Sequence, residues 1–203
     1  MTLELYGFPM SPNSRRAQMA LEEVGAAYRY VAVDLMQGEH KKPGYLAINP
    51  NGKVPTLVDD DLILWESHAI LEYLAEKFPA ARLGGADAKE KGLIAQWTYL
   101  NASHFGAAVA SVFAHTIRLP EDQRVELIAK NGRAEAERIL KVLDAGLAGK
   151  TYLVAERFTL ADLAFAPTLV ALPMLGFDLT PHANVSAWNA RIRERPSFKK
   201  VVG

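Results

Sequence analysis

The sequence predicts an α+β domain over residues 1–80 followed by an all-α domain over residues 86–203. Three observations carry this. Alternating or short apolar runs of strand type are confined to the start of the chain: Leu3 and Leu5 against Glu4 and Tyr6, residues 28–33, and the paired runs 56–58 and 62–65. From Asp87 onward helical spacing takes over. Residues 78–85 (FPAARLGG), with proline at one end and two glycines at the other, read as the linker between the two patterns.

The first strand, around Leu3 and Leu5, is broken by GFPMSP at residues 7–12. Ala17, Ala20, Leu21 and Val24 then recur at i, i+3, i+4 and i+7, the buried stripe of a helix, and Gly25 ends it. Residues 28–33 form a second strand, so this crossover predicts a parallel pair with a right-handed connection. Asp59, Asp60 and Asp61 make the polar turn of a hairpin between the two later runs. A helix from His68 to Phe78 comes next, with Ile70, Leu71, Leu74 and Phe78 on one side. This order is that of a thioredoxin-like domain without the Cys-x-x-Cys of its redox members. In the second domain a helical segment runs over 88–113, Pro120 marks a break, and Val125, Ile128, Ile139, Leu143 and Leu147 approximate a buried stripe. Thr159 and Asp162 have the form of a capping box. Pro196 is expected to end a last helix containing Trp188 and Ile192.

The composition narrows the chemistry. Of 203 residues, 23 are basic and 23 acidic, so no overall field favours nucleic acid or an anionic membrane. Residues 1–80 carry 7 basic and 11 acidic side chains and the remainder 16 and 12, mild opposite balances. There is no cysteine, which excludes disulfides, thiolate metal sites and a cysteine nucleophile; any thiol chemistry must use a thiol carried by the substrate. MTLELYGFPM lacks the basic segment and apolar core of a secretory signal. The longest apolar stretch, 160–177, contains Asp162, Pro167 and Pro173, and so reads as a buried helix rather than a membrane span. The chain reads as soluble and cytoplasmic. His104 and His115 have no partner at metal-ligand spacing, and no glycine-rich phosphate loop is present, so neither a metal nor a nucleotide is expected.

Residues 49–67 (NPNGKVPTLVDDDLILWES) organise the rest. Val54-Pro55 stands at the entrance to a strand, where proline removes no central ladder donor. A cis bond there would expose the N–H and C=O of Val54 to a peptide-like ligand pairing as an added strand. Ser11-Pro12 is the second informative spot. Ser11 has the position of a helix N-cap, with Pro12 at N1; in the functional alternative its hydroxyl donates to an anion at the helix's positive end. Asn13 and Ser14 compete for that role. Arg15 and Arg16 are, by default, solvated or paired. His40, Lys41 and Lys42 are by themselves a polar loop, and Glu66 and Ser67 favour the start of the next helix.

Taken together, SPNSRRAQMALEE, QGEHKK, NPNGKVPTL and ESHAI, in this order and spacing, resemble the serine-type glutathione transferases, most closely the phi class and related bacterial members. HFGAAVASVFAHTIRLP, FTLADLAFAP and RPSFKK resemble the helical domain of that superfamily. The resemblance implies the glutathione transferase fold, a homodimer, and conjugation of glutathione to hydrophobic electrophiles in detoxification. It implies that Val54, before a cis Pro55, pairs with the cysteinyl unit and that Glu66 and Ser67 hold the γ-glutamyl end. His40 and Lys41 would meet the glycyl carboxylate. Lys53 stands where related sequences often have Gln and adds charge. The sulfur would face Ser11, whose hydroxyl and helix N-terminus stabilise the thiolate. Met10 is a natural wall for the electrophile between the domains, while Phe113 and Ile117 are either part of that pocket or core. Alternatives are a glutathione-dependent peroxide or disulfide reductase or an isomerase, and a non-catalytic ligand- or protein-binding module on the same fold.

Overall fold

The computed structural model describes residues 3–203. Two compact units divide the chain: one runs up to Gly84 and includes Glu194–Gly203, the other is Gly85–Arg193.

In the first unit, β1 (Leu3–Gly7) lies between β2 (Tyr28–Ala32), to which it is parallel, and β3 (Thr56–Asp59), to which it is antiparallel; β4 (Leu62–Trp65) closes the order β2-β1-β3-β4. Leu5 faces Tyr30 on one side and Leu57 on the other, and Leu57 in turn faces Leu64. Leu3 and Leu5 are buried while Glu4 and Tyr6 are partly exposed, so the two-residue alternation sets which face meets the helices. On that sheet sit α1 (Pro12–Glu23), the short α2 (Pro43–Leu46) and α3 (Ser67–Lys77). Ala17, Ala20 and Leu21 are fully buried, and Gly25 takes the left-handed φ of 67° that terminates α1.

The second unit is helical: α4 (Ala88–Leu100), α5 (Gly106–Phe113), α6 (Glu126–Gly146), α7 (Leu160–Leu169) and α8 (Ala183–Arg193). Wide π turns at Asn101–Phe105 and Ala114–Arg118 flank α5. The first closes through the Gly106 N–H bonded to the Asn101 carbonyl, and a Cβ on Gly106 would lie 3.1 Å from that oxygen. Every residue of α7 is buried. Its capping box is formed, with the fully buried Asp162 carboxylate accepting from Thr159 N (2.9 Å), Thr159 Oγ1 (3.2 Å), Leu153 N (3.1 Å) and Trp188 Nε1 (2.9 Å). Among the described residues no helix is long and apolar enough to cross a membrane.

Three expectations are corrected. Pro196 does not end the last helix; it opens a further one, α9 (Pro196–Val202), because proline at the first helical position gives up an N–H that would bond nothing within the helix. Residues 194–203 therefore depart from the expected 86–203 helical domain and pack in the first unit, where Glu23 accepts from Arg195 Nε (2.8 Å) and Nη2 (2.6 Å) and from the Ser197 hydroxyl. In α6 the buried stripe is Ala136, Ile139, Leu140 and Leu143, whereas Val125 (46% exposed) and Ile128 (41%) face outward. The first helical turns there extend past the surface they could pack on.

Gly146 gives a direct test of packing in this unit. A Cβ at that position would fall 2.4 Å from Trp97 Cη2, and Trp97 is itself buried. Gly146→Ala is expected to cost about 1–3 kcal/mol through overpacking, outweighing the helix-propensity gain of about 1 kcal/mol. The midpoint of urea unfolding measures it; a rise in the midpoint would show that the indole moves aside freely.

Candidate active site

The loop leading into β3 is held from below. Tyr45, on α2, donates its hydroxyl to the Lys53 carbonyl (2.7 Å), and Asn49 Nδ2 donates to the same oxygen (2.7 Å) and to Thr56 Oγ1 (3.0 Å). With one carbonyl fixed by two buried donors, the chain passes through a cis Val54–Pro55 peptide into the strand. Asn51 N closes the loop onto Asn49 Oδ1 (3.0 Å), and Asn51 Nδ2 reaches Glu66 Oε1 (3.3 Å).

Glu66, at the N-cap of α3, has φ 72° and ψ 114°, which an L side chain rarely adopts. The turn aims the start of α3 at the Val54–Pro55 loop. A pocket of about 100 Å³ opens there, lined by Asn13, Asn49, Asn51, Lys53, Val54, Pro55, Glu66 and Ser67. Thus Lys53, Val54, Glu66 and Ser67 come together, at the N-terminus of an 11-residue helix whose first N–H groups favour an anion.

The other expected residues lie around this pocket or apart from it. His40 and Lys41 occupy a short turn, Glu39–Lys41, outside the lining. Lys41 Nζ would lie 3.0 Å from a Cβ on Gly52, and Gly52 has φ 59°, so the glycine both makes the turn and leaves room for the ammonium beside Lys53. Burial, reinforced by Lys41, holds the His40 imidazole below its ordinary pKa, so at neutral pH it offers a neutral ring rather than a cation.

Ser11 caps α1: its Oγ accepts from Ser14 N (3.4 Å), and its own hydroxyl proton remains available to another acceptor. Ser14 is buried, with Oγ taken up by the Phe8 N–H (3.0 Å). Arg15 ties down the loop before Ser11 through the Pro9 carbonyl (2.7 Å) and Met10 Sδ (3.7 Å). Met10 is 66% exposed; in the helical unit Phe113 is half-buried and Ile117 is 42% exposed. His104 pairs with Glu135 (3.6 Å) and His115 Nδ1 accepts from Val125 N (3.2 Å).

Asn13, Asn49, Asn51 and Arg16 carry more of the site than their sequence suggests. Residues 49–52 read only as a turn. Arg16, expected to be solvated or paired at the surface, is 1% exposed and bonds Asn13 Oδ1 (2.6 Å) and Ser67 Oγ (2.9 Å). Burial pulls its guanidinium down to about 9, which leaves it charged at neutral pH. A signal is present in the sequence: Arg16 precedes the fully buried Met19 and Ala20 by three and four residues, so it shares their helix face.

Two family models match the chain: "Glutathione S-transferase, N-terminal domain" over residues 1–76 and "Glutathione S-transferase, C-terminal domain" over residues 106–196. Glutathione S-transferase F9 of Arabidopsis thaliana is 34% identical, the alignment covering 100% of this chain and 97% of that protein. Among solved structures, glutathione transferase F7 of Populus trichocarpa superposes with a TM-score of 0.89 at 33% identity, covering 99% of this chain and 98% of the other. A theta class enzyme of Xanthomonas axonopodis pv. citri, solved with glutathione bound, gives a TM-score of 0.90 at 32% identity, covering 99% and 97%. The chain belongs to the glutathione S-transferase family. Its fold is the glutathione transferase fold and it is an enzyme of that class.

Proposed function

We propose that this enzyme transfers the thiolate of glutathione to hydrophobic electrophilic small molecules, with Ser11 as the donor that keeps the sulfur ionised. The observation that carries the reading is the convergence of Lys53, Val54, Glu66 and Ser67 on one pocket at the start of α3. Among the described residues, the backbone of Val54 has no hydrogen-bond partner within the chain, so its N–H and C=O are available to the cysteinyl unit. Glu66 and Ser67 take the γ-glutamyl end, and Lys41, Lys53 and the neutral His40 take the glycyl carboxylate. Free thiols titrate near about 8.5 and are only a few per cent ionised at neutral pH. A hydroxyl donor and the N-terminal field of α1 favour the thiolate, so the nucleophile exists before the electrophile arrives. Ser11 donates to sulfur without giving up its proton.

In this reading Met10, Phe113 and Ile117 wall the electrophile's pocket, residues 1–80 form the glutathione-binding domain and residues 86–203 the helical domain that supplies the wall. The protein acts in the cytoplasm, in detoxification, as a homodimer. Exposed Leu62, Ile63 and Trp65 on β4, and Leu127 and Ile128 on α6, give each unit apolar surface suited to a second copy. Sedimentation at micromolar concentration tests this; a monomer rejects it.

For the reaction, purified protein should conjugate glutathione to a generic aryl halide. Lys41→Ala should raise the KM for glutathione about 3- to 10-fold with kcat little changed, since it removes binding shared by ground and transition states. An intact KM would detach Lys41 from the glycyl carboxylate, and absence of glutathione binding by calorimetry would reject the reading.

A further inference from the structure

A guanidinium carries five N–H donors and no acceptor, so every polar atom it holds must accept from it. Arg16 is buried under the pocket and reaches two lining residues, Asn13 at the start of α1 and Ser67 at the start of α3. We infer that Arg16 is a positioning residue that sets the hydrogen-bond polarity of Asn13 and Ser67, making both donors toward a carboxylate in the pocket. This rests on the glutathione reading and specifies that the carboxylate is the one on the γ-glutamyl unit.

Each step comes from donor and acceptor counting. Arg16 Nη1 lies 2.6 Å from Asn13 Oδ1. A flipped amide would set an NH2 against an N–H at that distance, so the orientation is fixed and Nδ2 is directed away from Arg16. Ser67 Oγ accepts from the same nitrogen at 2.9 Å, which excludes its own proton from that direction and leaves it to donate elsewhere. Without Arg16, both groups are free to turn: an Asn can present its oxygen, and a hydroxyl can present a lone pair. Either would oppose a carboxylate. The buried cation thus acts through two neighbours, choosing which face of each the ligand meets, and a fork-shaped donor group can hold both at once where an ammonium holds them less well.

The test compares glutathione with its analogue in which the γ-glutamyl α-carboxylate is a carboxamide, by calorimetry. Wild type should prefer the carboxylate. Arg16→Met should weaken glutathione at least about 10-fold and the amide less than about 3-fold, so the preference collapses, and Arg16→Lys should restore part of it. Equal weakening of both ligands would mean that Arg16 only holds α1 and α3 together, and would overturn the inference. Should Arg16→Met fail to fold, Asn13→Asp serves, because Asn13 is exposed: it presents an oxyanion in place of a donor and should reverse the preference, and an unchanged preference overturns the inference. A ligand-free crystal structure fine enough to tell amide oxygen from nitrogen gives an independent reading; the Asn13 nitrogen facing Arg16 overturns it. If wild type fails to bind glutathione but retains carboxylate-over-amide preference with γ-glutamylglycine, the function proposed above falls and this inference stands. If glutathione binds with no such preference, only this inference falls.

Discussion

Ser11→Ala is expected to lower kcat/KM near pH 6.5 by about 10²-fold, the usual consequence of removing one preorganised donor from a developing or resting anion. Two effects compete. Ser11 is also the N-cap of α1, and losing a capping side chain costs about 1 kcal/mol of stability. A folded protein with a modest stability margin still populates its native state almost fully after such a loss, so the cap alone cannot account for a hundredfold drop. The pH profile separates them. The bound thiol is nucleophilic only above its own pKa, so wild-type activity should fall tenfold per unit below that value and flatten above it. Without the hydroxyl the inflection moves up toward the free-thiol value of about 8.5, each unit corresponding to roughly 1.4 kcal/mol. The variant's deficit should therefore shrink as pH rises past both inflections. An unmoved inflection, with the activity lost only when Asn13 is replaced, would transfer the donor role to Asn13. Stopped-flow absorbance of the bound thiolate measures the inflection directly.

Asp162→Ala is expected to be the most destabilising single change, by about 3–5 kcal/mol, because it strands the buried Leu153 N–H, Thr159 N–H and Trp188 Nε1 at about 1–3 kcal/mol each. At this chain length the corresponding fall in Tm is on the order of 10 °C. Desolvation offsets part of that loss, since burial pushes the Asp162 carboxyl up while the four donors pull it back. A raised folded pKa means a stabilising contribution that is full below the ordinary carboxylate range and declines as pH rises through the folded value. The stability gap between wild type and variant should accordingly narrow with rising pH. Should the gap widen instead, the donors outweigh burial and the carboxyl titrates below its ordinary value. Denaturant unfolding at several pH values distinguishes the two.

Where the sequence is legible, the information is local. The alternation in β1, the 17–20–21 stripe of α1 and the three-aspartate turn between β3 and β4 each fix a backbone geometry within a few residues. The Lys53–Val54 and Glu66–Ser67 pairs can be found because one contiguous hairpin carries both ends of the pocket. Arg16 is harder to place, because its charge suggests solvation although its spacing from Met19 and Ala20 puts it on the buried face. Pro196 misleads for a related reason: proline is compatible with both the stop and the start of a helix, and only the packing available to residues 197–202 decides between them.

By itself the sequence determined the type and order of the secondary elements, the lack of any protein thiol, and the family. Those depend on residue identity and on periodicities of two and 3.6. Only the tertiary structure decided that α9 returns to the first unit on Glu23, that α6 leaves Val125 and Ile128 outward, and that Arg16 lies beneath Asn13 and Ser67. Burial and donor–acceptor pairing between residues 51 and 172 positions apart are set by how the elements pack, and no short window of sequence contains both partners.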